Sequence, residues 1–276
     1  MADVTLTAAL RSNLLSLQGT QKLLDQTQLR LATGLKVNSA LDNPNSYFAA
    51  QAVNNRATDL SSLLDGIGQS IQVLKAADQG LQTITSYLSQ AQALAQNALD
   101  NANSNGGTNT NAVADAASYQ AIQDQINALI GDAGYRGTNL LKGGTLQVTF
   151  NESGTSSLTV TGVDDTTTNT ATLNLTPSPL DSATNIQTEI TAIKKALDAA
   201  RSQAATFGNN LNIIQTRQDF TQNLINVLQE GRDKLTVADK NEEGAKLLSL
   251  QTTQQLGITS LSLASQANQS VLKLFG

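Results

Sequence analysis

Apolar residues recur along most of this chain at alternating spacings of four and three, and no proline interrupts the recurrence. The three prolines, Pro44, Pro177 and Pro179, all fall between periodic segments, so very long helices are permitted. A sustained four–three alternation is the heptad of a coiled-coil seam. The first seam runs Leu10, Leu14, Leu17, Gln21, Leu24, Gln28, Leu31, with Gly34 as its stop. Residues 34–44 read as a loop ending in Asp42-Asn43-Pro44, which supplies turn chemistry and a helix N-cap. The second seam is Leu60, Leu63, Ile67, Ser70, Leu74, Ala77, Leu81, Ile84, Leu88, Ala91, Ala95, Ala98, broken by the flexible run 101–107. A short helix follows, with Tyr119, Ile122, Ile126 and Leu129 on one face. A third long seam, Ile186 to Leu235, predicts a helix over about 182–235, a rod of roughly 80 Å at 1.5 Å per residue. After a hinge-like stretch at 236–240, Leu247, Leu250, Gln254, Gly257, Leu261, Ala264, Asn268, Val271 and Phe275 form the last seam.

Between the rods the pattern changes. Thr145–Phe150 and Ser157–Thr161 alternate with period two around a turn at Asn151–Gly154, and 171–175 is a possible third strand. An insert of about 35 residues is too small to hold its own core and must lean on the helices. The predicted fold is therefore mainly α: a long antiparallel coiled-coil or helical rod with a small β-hairpin insert. The boundaries that follow are 1–44 for a terminal helix and hinge loop, 45–144 for the first half of the rod, 145–181 for the insert, 182–235 for the returning rod helix and 236–276 for the second hinge and terminal helix. Two inner polar features stay open. Gln21, Gln28, Gln254 and Asn268 are either neutral layers or buried polar layers that fix register. Arg30 and Asp42 either pair near the hinge or are both solvated.

Composition removes several function classes. The chain has no Cys and no His, which excludes disulfides, thiolate chemistry, imidazole catalysis and zinc or haem held by those residues. Aromatics are only 3% and Trp is absent, which suits thin helical layers rather than a bulky core. The net charge of -5, with no basic cluster beyond Lys194-Lys195, argues against a nucleic-acid partner. No apolar run is long enough for a membrane span, so no membrane insertion is expected. The N-terminus has no basic-then-apolar signal for general secretion. No phosphate loop is present, and Asp164-Asp165 lacks a third ligand, so it reads as loop surface. No cofactor, metal or catalytic constellation is proposed.

The ends carry more apolar residues than one seam uses. Leu14-Leu15, Leu23-Leu24, Leu247-Leu248 and Val271-Leu272 are adjacent pairs, and neighbours on a helix point about 100° apart. A second apolar face of this extent marks a partner surface.

Three segments then resemble a known family. Leu29-Arg30-Leu31-Ala32-Thr33-Gly34-Leu35-Lys36-Val37-Asn38-Ser39-Ala40-Leu41-Asp42-Asn43 looks like the N-terminal signature of bacterial flagellins. Tyr135–Gly143 is similar to the family's glycine-bounded Leu-Leu turn, and Leu263–Leu272 to its C-terminal ending. The resemblance covers about 1–145 and 182–276. It implies a structural subunit exported without a cleaved signal through the flagellar export apparatus, with an export chaperone and a cap protein as partners. It implies self-assembly into an extracellular flagellar filament, with the hook–filament junction protein as the alternative. The expected filament-core interface is Leu10, Leu14, Leu17, Leu24, Leu31, Leu247, Leu250, Leu261, Ala264, Val271 and Phe275. Arg30, Gly34, Asn38 and Asp42 mark the hinge signature. In the stretch resembling the family's contact with the animal flagellin receptor, Gln92 stands where Arg is expected and Ala93 where Glu is expected, with only Leu94 matching. Weak receptor activation is the expectation.

Overall fold

The computed structural model describes residues 8–169, 172–175 and 179–275, backbone only at 8, 9, 268 and 271–275. The elements in chain order are α1 (Ala8–Thr33), α2 (Pro44–Ser104), α3 (Ala112–Asp132), β1 (Thr145–Thr149), β2 (Ser157–Thr161), α4 (Ala183–Thr236) and α5 (Lys240–Phe275). The proline-free seams thus become four long helices, and the helix ends fall where the loop chemistry sits. Gly34, at φ 72°, follows the last residue of α1 and takes the left-handed conformation that closes a helix C-terminus. Asn43 caps α2, its Oδ1 accepting the Ser46 N–H at 3.1 Å, and Pro44 fills the first helical position. Asp239 caps α5 by accepting the Asn241 N–H at 2.8 Å. Among the described residues no helix is long and apolar enough to cross a membrane.

The chain divides into two compact units, residues 1–56 with 227–276, and residues 57–226. In the second unit the predicted seams are the core. Ile67, Leu74, Ala77, Leu81, Ile84, Leu88, Ala91, Ala95 and Ala98 are buried with Ile186, Ile190, Ile193, Leu197, Ala200, Phe207 and Ile214 in one cluster. Grooves lined by Leu99 and Asn103 with Ala183–Thr191, and by Ser61–Gln69 with Gln218–Gln222, show that α2 and α4 run antiparallel. The late alanines of α2 let its partners approach closely, since a small side chain is all the layer must hold.

The hairpin forms as the alternation predicts, antiparallel with Thr145 opposite Thr161 and Thr149 opposite Ser157. It does lean on the helices: Leu146, Val148, Phe150 and Val160 join the helical core cluster. Residues 172–175 are turn and irregular backbone rather than a third strand, and the rest of that stretch, with Thr176 and Pro177, lies outside the described residues. Leu173 and Leu175 are buried all the same, so the apolar alternation there serves packing without pairing. The α3 stripe is Tyr119, Gln123, Ile126 and Ile130, with Ile122 and Leu129 only partly buried, because the buried face winds one residue away from the expected one. The Tyr135–Gly143 motif is a plug. Its turn opens with Arg136 and Gly137 at positive φ, and Leu140 and Leu141 are fully buried. A Cβ on Gly80 of α2 would meet Leu141 Cδ1 at 2.7 Å, so Leu141 seats against a position that tolerates no side chain.

One reading is overturned outright. Asp165 is not loop surface; it is buried at 1% exposure while Asp164 beside it is exposed. The spacing of two adjacent acids carries no information about which one the loop turns inward.

Candidate assembly surface

The chain ends meet in the first unit, where α1 packs on α5. Three side-chain contacts fix an antiparallel register. Arg30 Nη1 pairs with Glu243 Oε1 at 3.0 Å, Gln254 Nε2 donates to Gln21 Oε1 at 2.6 Å, and a Cβ on Gly257 would meet Leu17 Cδ2 at 2.7 Å. Residue numbers on the two helices therefore change by equal and opposite steps, which sets Leu24 level with Leu250 and Leu10 level with Ala264. Leu17 acts as a knob over the glycine hole at 257.

On α5 the inward positions are Glu243, Leu247, Leu250, Gln254, Gly257, Leu261 and Ala264, buried or half-buried at every heptad step, as the seam predicted. On α1 the inward positions are Leu10, Asn13, Leu17, Thr20, Leu24, Thr27 and Leu31. Every second entry of the expected seam is thus displaced by one residue. Asn13, Thr20 and Thr27 face α5, whereas Leu14, Gln21 and Gln28 are exposed. Thr20 resolves its burial by donating its hydroxyl to the Ser16 carbonyl at 3.0 Å. A polar small residue can sit in the seam at little cost, and the leucine it displaces is turned toward solvent. Gln21 still reaches Gln254 from the flank and is steadied by donating to Asp25 Oδ1 at 2.8 Å.

Among polar neighbours, the outward faces carry exposed apolar residues. Leu15, Leu23 and Leu29 on α1, and Leu248, Leu256, Ile258 and Leu263 on α5, are all exposed, with Leu15, Leu248 and Leu256 near two-thirds. Leu15, Gly19 and Leu23 follow helical spacing, as do Leu248, Leu256 and Leu263, so these are stripes rather than scattered residues. The side chains of Asn268, Val271, Leu272 and Phe275 lie outside the described residues.

At the base of the pair the hinge segments are tied together. Lys36 N–H donates to the Thr236 carbonyl at 2.7 Å and Ala238 N–H to the Gly34 carbonyl at 2.9 Å, making a short antiparallel bridge at Leu35 and Val237. Arg30 and Asp42 do not pair. Arg30 turns to the buried Glu243, and Asp42 Oδ2 accepts from the Asn38 N–H at 3.0 Å, the Ser39 N–H at 2.9 Å and the Ser39 hydroxyl at 3.2 Å. The Ser39 and Asn38 amides hold the Asp42 carboxyl below the usual carboxylate range, with Arg30 a minor contributor. Glu243 is the residue that sequence reading missed. Its signal was present: Asp239 followed by Glu242 is a capping pattern that places Glu243 at the start of α5, one turn before the seam leucines.

The stretch resembling the receptor contact lies on α2 in the second unit. Gln92 and Leu94 are half-buried there and Ala93 is exposed. Among the described residues no group of three or more acidic, His or Cys side chains is arranged to hold a metal.

Long paired terminal helices with apolar stripes on their outer faces, and a small β-hairpin resting on helices, define a helical structural subunit. Models of the bacterial flagellin N-terminal helical region and C-terminal helical region match residues 5–145 and 190–275. The flagellin FljK of Caulobacter vibrioides is 30% identical over 268 residues, covering 94% of this chain and 93% of its own. FljM of the same organism is 31% identical over 263 residues, and the flagellin of Brucella melitensis is 27% identical over 287 residues, covering all of this chain and 99% of its own. A crystal structure of Bacillus cereus flagellin aligns with 56% of this chain and 88% of its own, at 22% identity and a TM-score of 0.48. The chain belongs to the bacterial flagellin family and is a structural subunit of the flagellar filament. Nothing in these similarities favours the hook–filament junction alternative.

Proposed function

We propose that this chain is exported from the cell and polymerises outside it through the α1–α5 pair, whose residues 1–44 and 236–276 form the filament core. The observation that carries the reading is the double apolar character of the terminal helices: one stripe closes the pair, and the other, with Leu15, Leu23, Leu248, Leu256 and Leu263, stays exposed among the described residues. Covering ~1,000 Å2 of such surface at ~25 cal/mol per Å2 releases far more than the margin by which a small folded unit is stable. Leu10, Leu14, Leu17, Leu24, Leu31, Leu247, Leu250, Leu261, Ala264, Val271 and Phe275 are the side chains assigned to this core. Within that set Leu10 and Leu24 already close the pair, while Leu14 remains open for a neighbour.

Self-assembly is the whole activity; no catalysis accompanies it. The chain has neither His nor Cys, and the described residues bring together no constellation for proton or group transfer. The export apparatus, an export chaperone and a cap protein are its further partners, reached through the N-terminal region without cleavage. The test is electron microscopy and mass analysis of filaments sheared from cells, compared with cells lacking flagellar export. This chain should be the bulk protein of wild-type filaments and should be missing from the supernatant of the export-defective strain. Its presence only at a filament base, or only in the cytosol, overturns the reading.

A further inference from the structure

We propose that Asn105-Gly106 is a site of spontaneous deamidation, where the Gly106 backbone nitrogen closes on the Asn105 side-chain amide and a carboxylate is left at the end of α2. Such closure is fastest where glycine follows asparagine, because no Cβ crowds the attacking nitrogen. Asn105 is the one asparagine of this chain that glycine follows. A helix normally protects such a pair by tying up the nitrogen. Where a helix ends in a left-handed glycine, the glycine N–H and the next N–H both usually donate back to carbonyls of the last turn. The end of α2 has this form, with Gly106 at φ 68° and Gly107 at φ 93°. Gly107 N–H donates to the Ala102 carbonyl at 2.8 Å, but Gly106 N–H has no partner among the described residues. Asn105 and Gly106 are both exposed, and nothing lies within 4 Å of where a Cβ on Gly106 would stand. The nucleophile is therefore free, uncrowded and in water.

The Asn105 side chain is held by Asn101. Its Nδ2 donates to the Asn101 carbonyl at 2.7 Å and to Asn101 Oδ1 at 3.4 Å, exposed bonds that water readily replaces. Once released, the side chain swings Cγ onto the Gly106 nitrogen. That nitrogen gives its proton to water or hydroxide and bonds to Cγ. The Cγ–Nδ2 bond breaks, and Nδ2 leaves as ammonia after taking a proton from solvent. One water then opens the imide ring at either carbonyl, giving aspartate or, with the main chain rerouted through Cγ, isoaspartate. The net change is one water consumed and one ammonia released. Both products disturb the turn. The new carboxylate stands against the negative end of the α2 dipole. Isoaspartate also lengthens the backbone by one carbon, just ahead of the bonds that tie this turn to the start of α4. The Gly107 carbonyl accepts the Ala183 N–H at 3.1 Å, and the N–H of the buried Asn109 donates to the Asp181 carbonyl at 2.8 Å. Conversion at Asn105 thus loosens the joint between the end of α2 and the start of α4.

The test ages the purified full-length chain in mildly alkaline buffer, both folded and in denaturant. Peptide mass analysis follows the exchange of amide for acid, and an isoaspartyl methyltransferase labels the rerouted product. Asn105 should convert before every other asparagine and yield both products. The folded chain should convert within about tenfold of the unfolded rate, since a frayed helix end opens at almost no free-energy cost. After ageing, the Asn109 and Ala183 amides should exchange at least about tenfold faster than in fresh protein, and an Asn105→Gln chain aged alongside should show no such change. An Asn105 that keeps its amide while other asparagines convert, or that converts more than about tenfold slower folded than unfolded, overturns the site. Conversion that leaves exchange at Asn109 and Ala183 unchanged overturns the loosening of the joint.

Discussion

Two buried acids show how much a single side chain can shift the behaviour of this protein. Burial pushes the Asp165 carboxyl up to about 7; the Gln203 amide opposes the rise and the Asp164 charge adds to it. No well-formed hydrogen bond reaches Asp165 Oδ2 or Gln203 Nε2. A carboxyl whose folded pKa is raised keeps its proton in the folded state after the unfolded chain has lost it. Its contribution to stability is therefore full below about pH 4 and is lost as pH rises to about 7. Asp165→Asn should raise stability by about 1–2 kcal/mol at pH 8 and flatten the pH dependence of melting between pH 4 and 7, as read by calorimetry. An unchanged pH profile contradicts the assignment. Glu189 follows the same direction, raised by burial while the Tyr119 hydroxyl that donates to it opposes the rise. Arg30 is the opposite case, a charge that is needed. Its removal leaves Glu243, only 7% exposed, buried without its cation, and Glu243 Oε2 already has no partner. Arg30→Ala should cost about 3 kcal/mol, and adding Glu243→Gln should recover part of it in a double-mutant cycle. The capping pattern places Glu243 at a helix start, but neither its partner nor the burial of Asp165 is legible in the sequence. The sequence offers Arg30 only Asp42 as a nearby partner and leaves Asp165 looking like surface, because it gives no distances between residues far apart in the chain.

Helices were the most legible part. The α2 and α4 seams, and the α5 seam as far as Ala264, appear at the predicted positions because a long, unbroken heptad leaves few other ways to hide its leucines. The α1 seam did not, for a physical reason. Choosing Leu14 over Asn13, or Gln21 over Thr20, follows hydrophobicity and size, whereas the observed register follows the partner helix. Leu17 must drop onto Gly257 and Arg30 must reach Glu243, and these two contacts turn α1 so that small polar residues take the alternate layers. The pair that results has thin, half-polar layers and an uncovered apolar face. Amide exchange on dilute monomer should therefore find 10–33 and 240–267 exchanging much faster than the buried stretches 67–102 and 186–214. Full protection of the terminal helices would show that they are stable without neighbours. Filaments should reverse the order, protecting the terminal helices most.

For the whole molecule, family membership turns a helical subunit into a filament protein, and the departures from the family then matter. In the stretch that resembles the family's receptor contact, Gln92 and Ala93 stand where the resemblance leads one to expect Arg and Glu, and Ala93, exposed on α2, offers a partner only a methyl group. A cell reporter for the animal flagellin receptor should respond at least tenfold less to this protein than to an enterobacterial flagellin. A response of equal strength would show that recognition does not depend on those two side chains.

The sequence by itself determined that the ends are long helices, that they run antiparallel, that a hairpin interrupts the middle and that more apolar surface exists than one seam can use. Those are consequences of period, proline placement and turn residues, all of which act over a few neighbouring positions. Only the tertiary structure decided which leucines remain exposed, which acid of a pair is buried, and that Arg30 pairs with Glu243 rather than Asp42. Such facts depend on where two segments some 200 residues apart come to lie, and the register of one helix on another is set by the few contacts that fit, not by the pattern that brought them together.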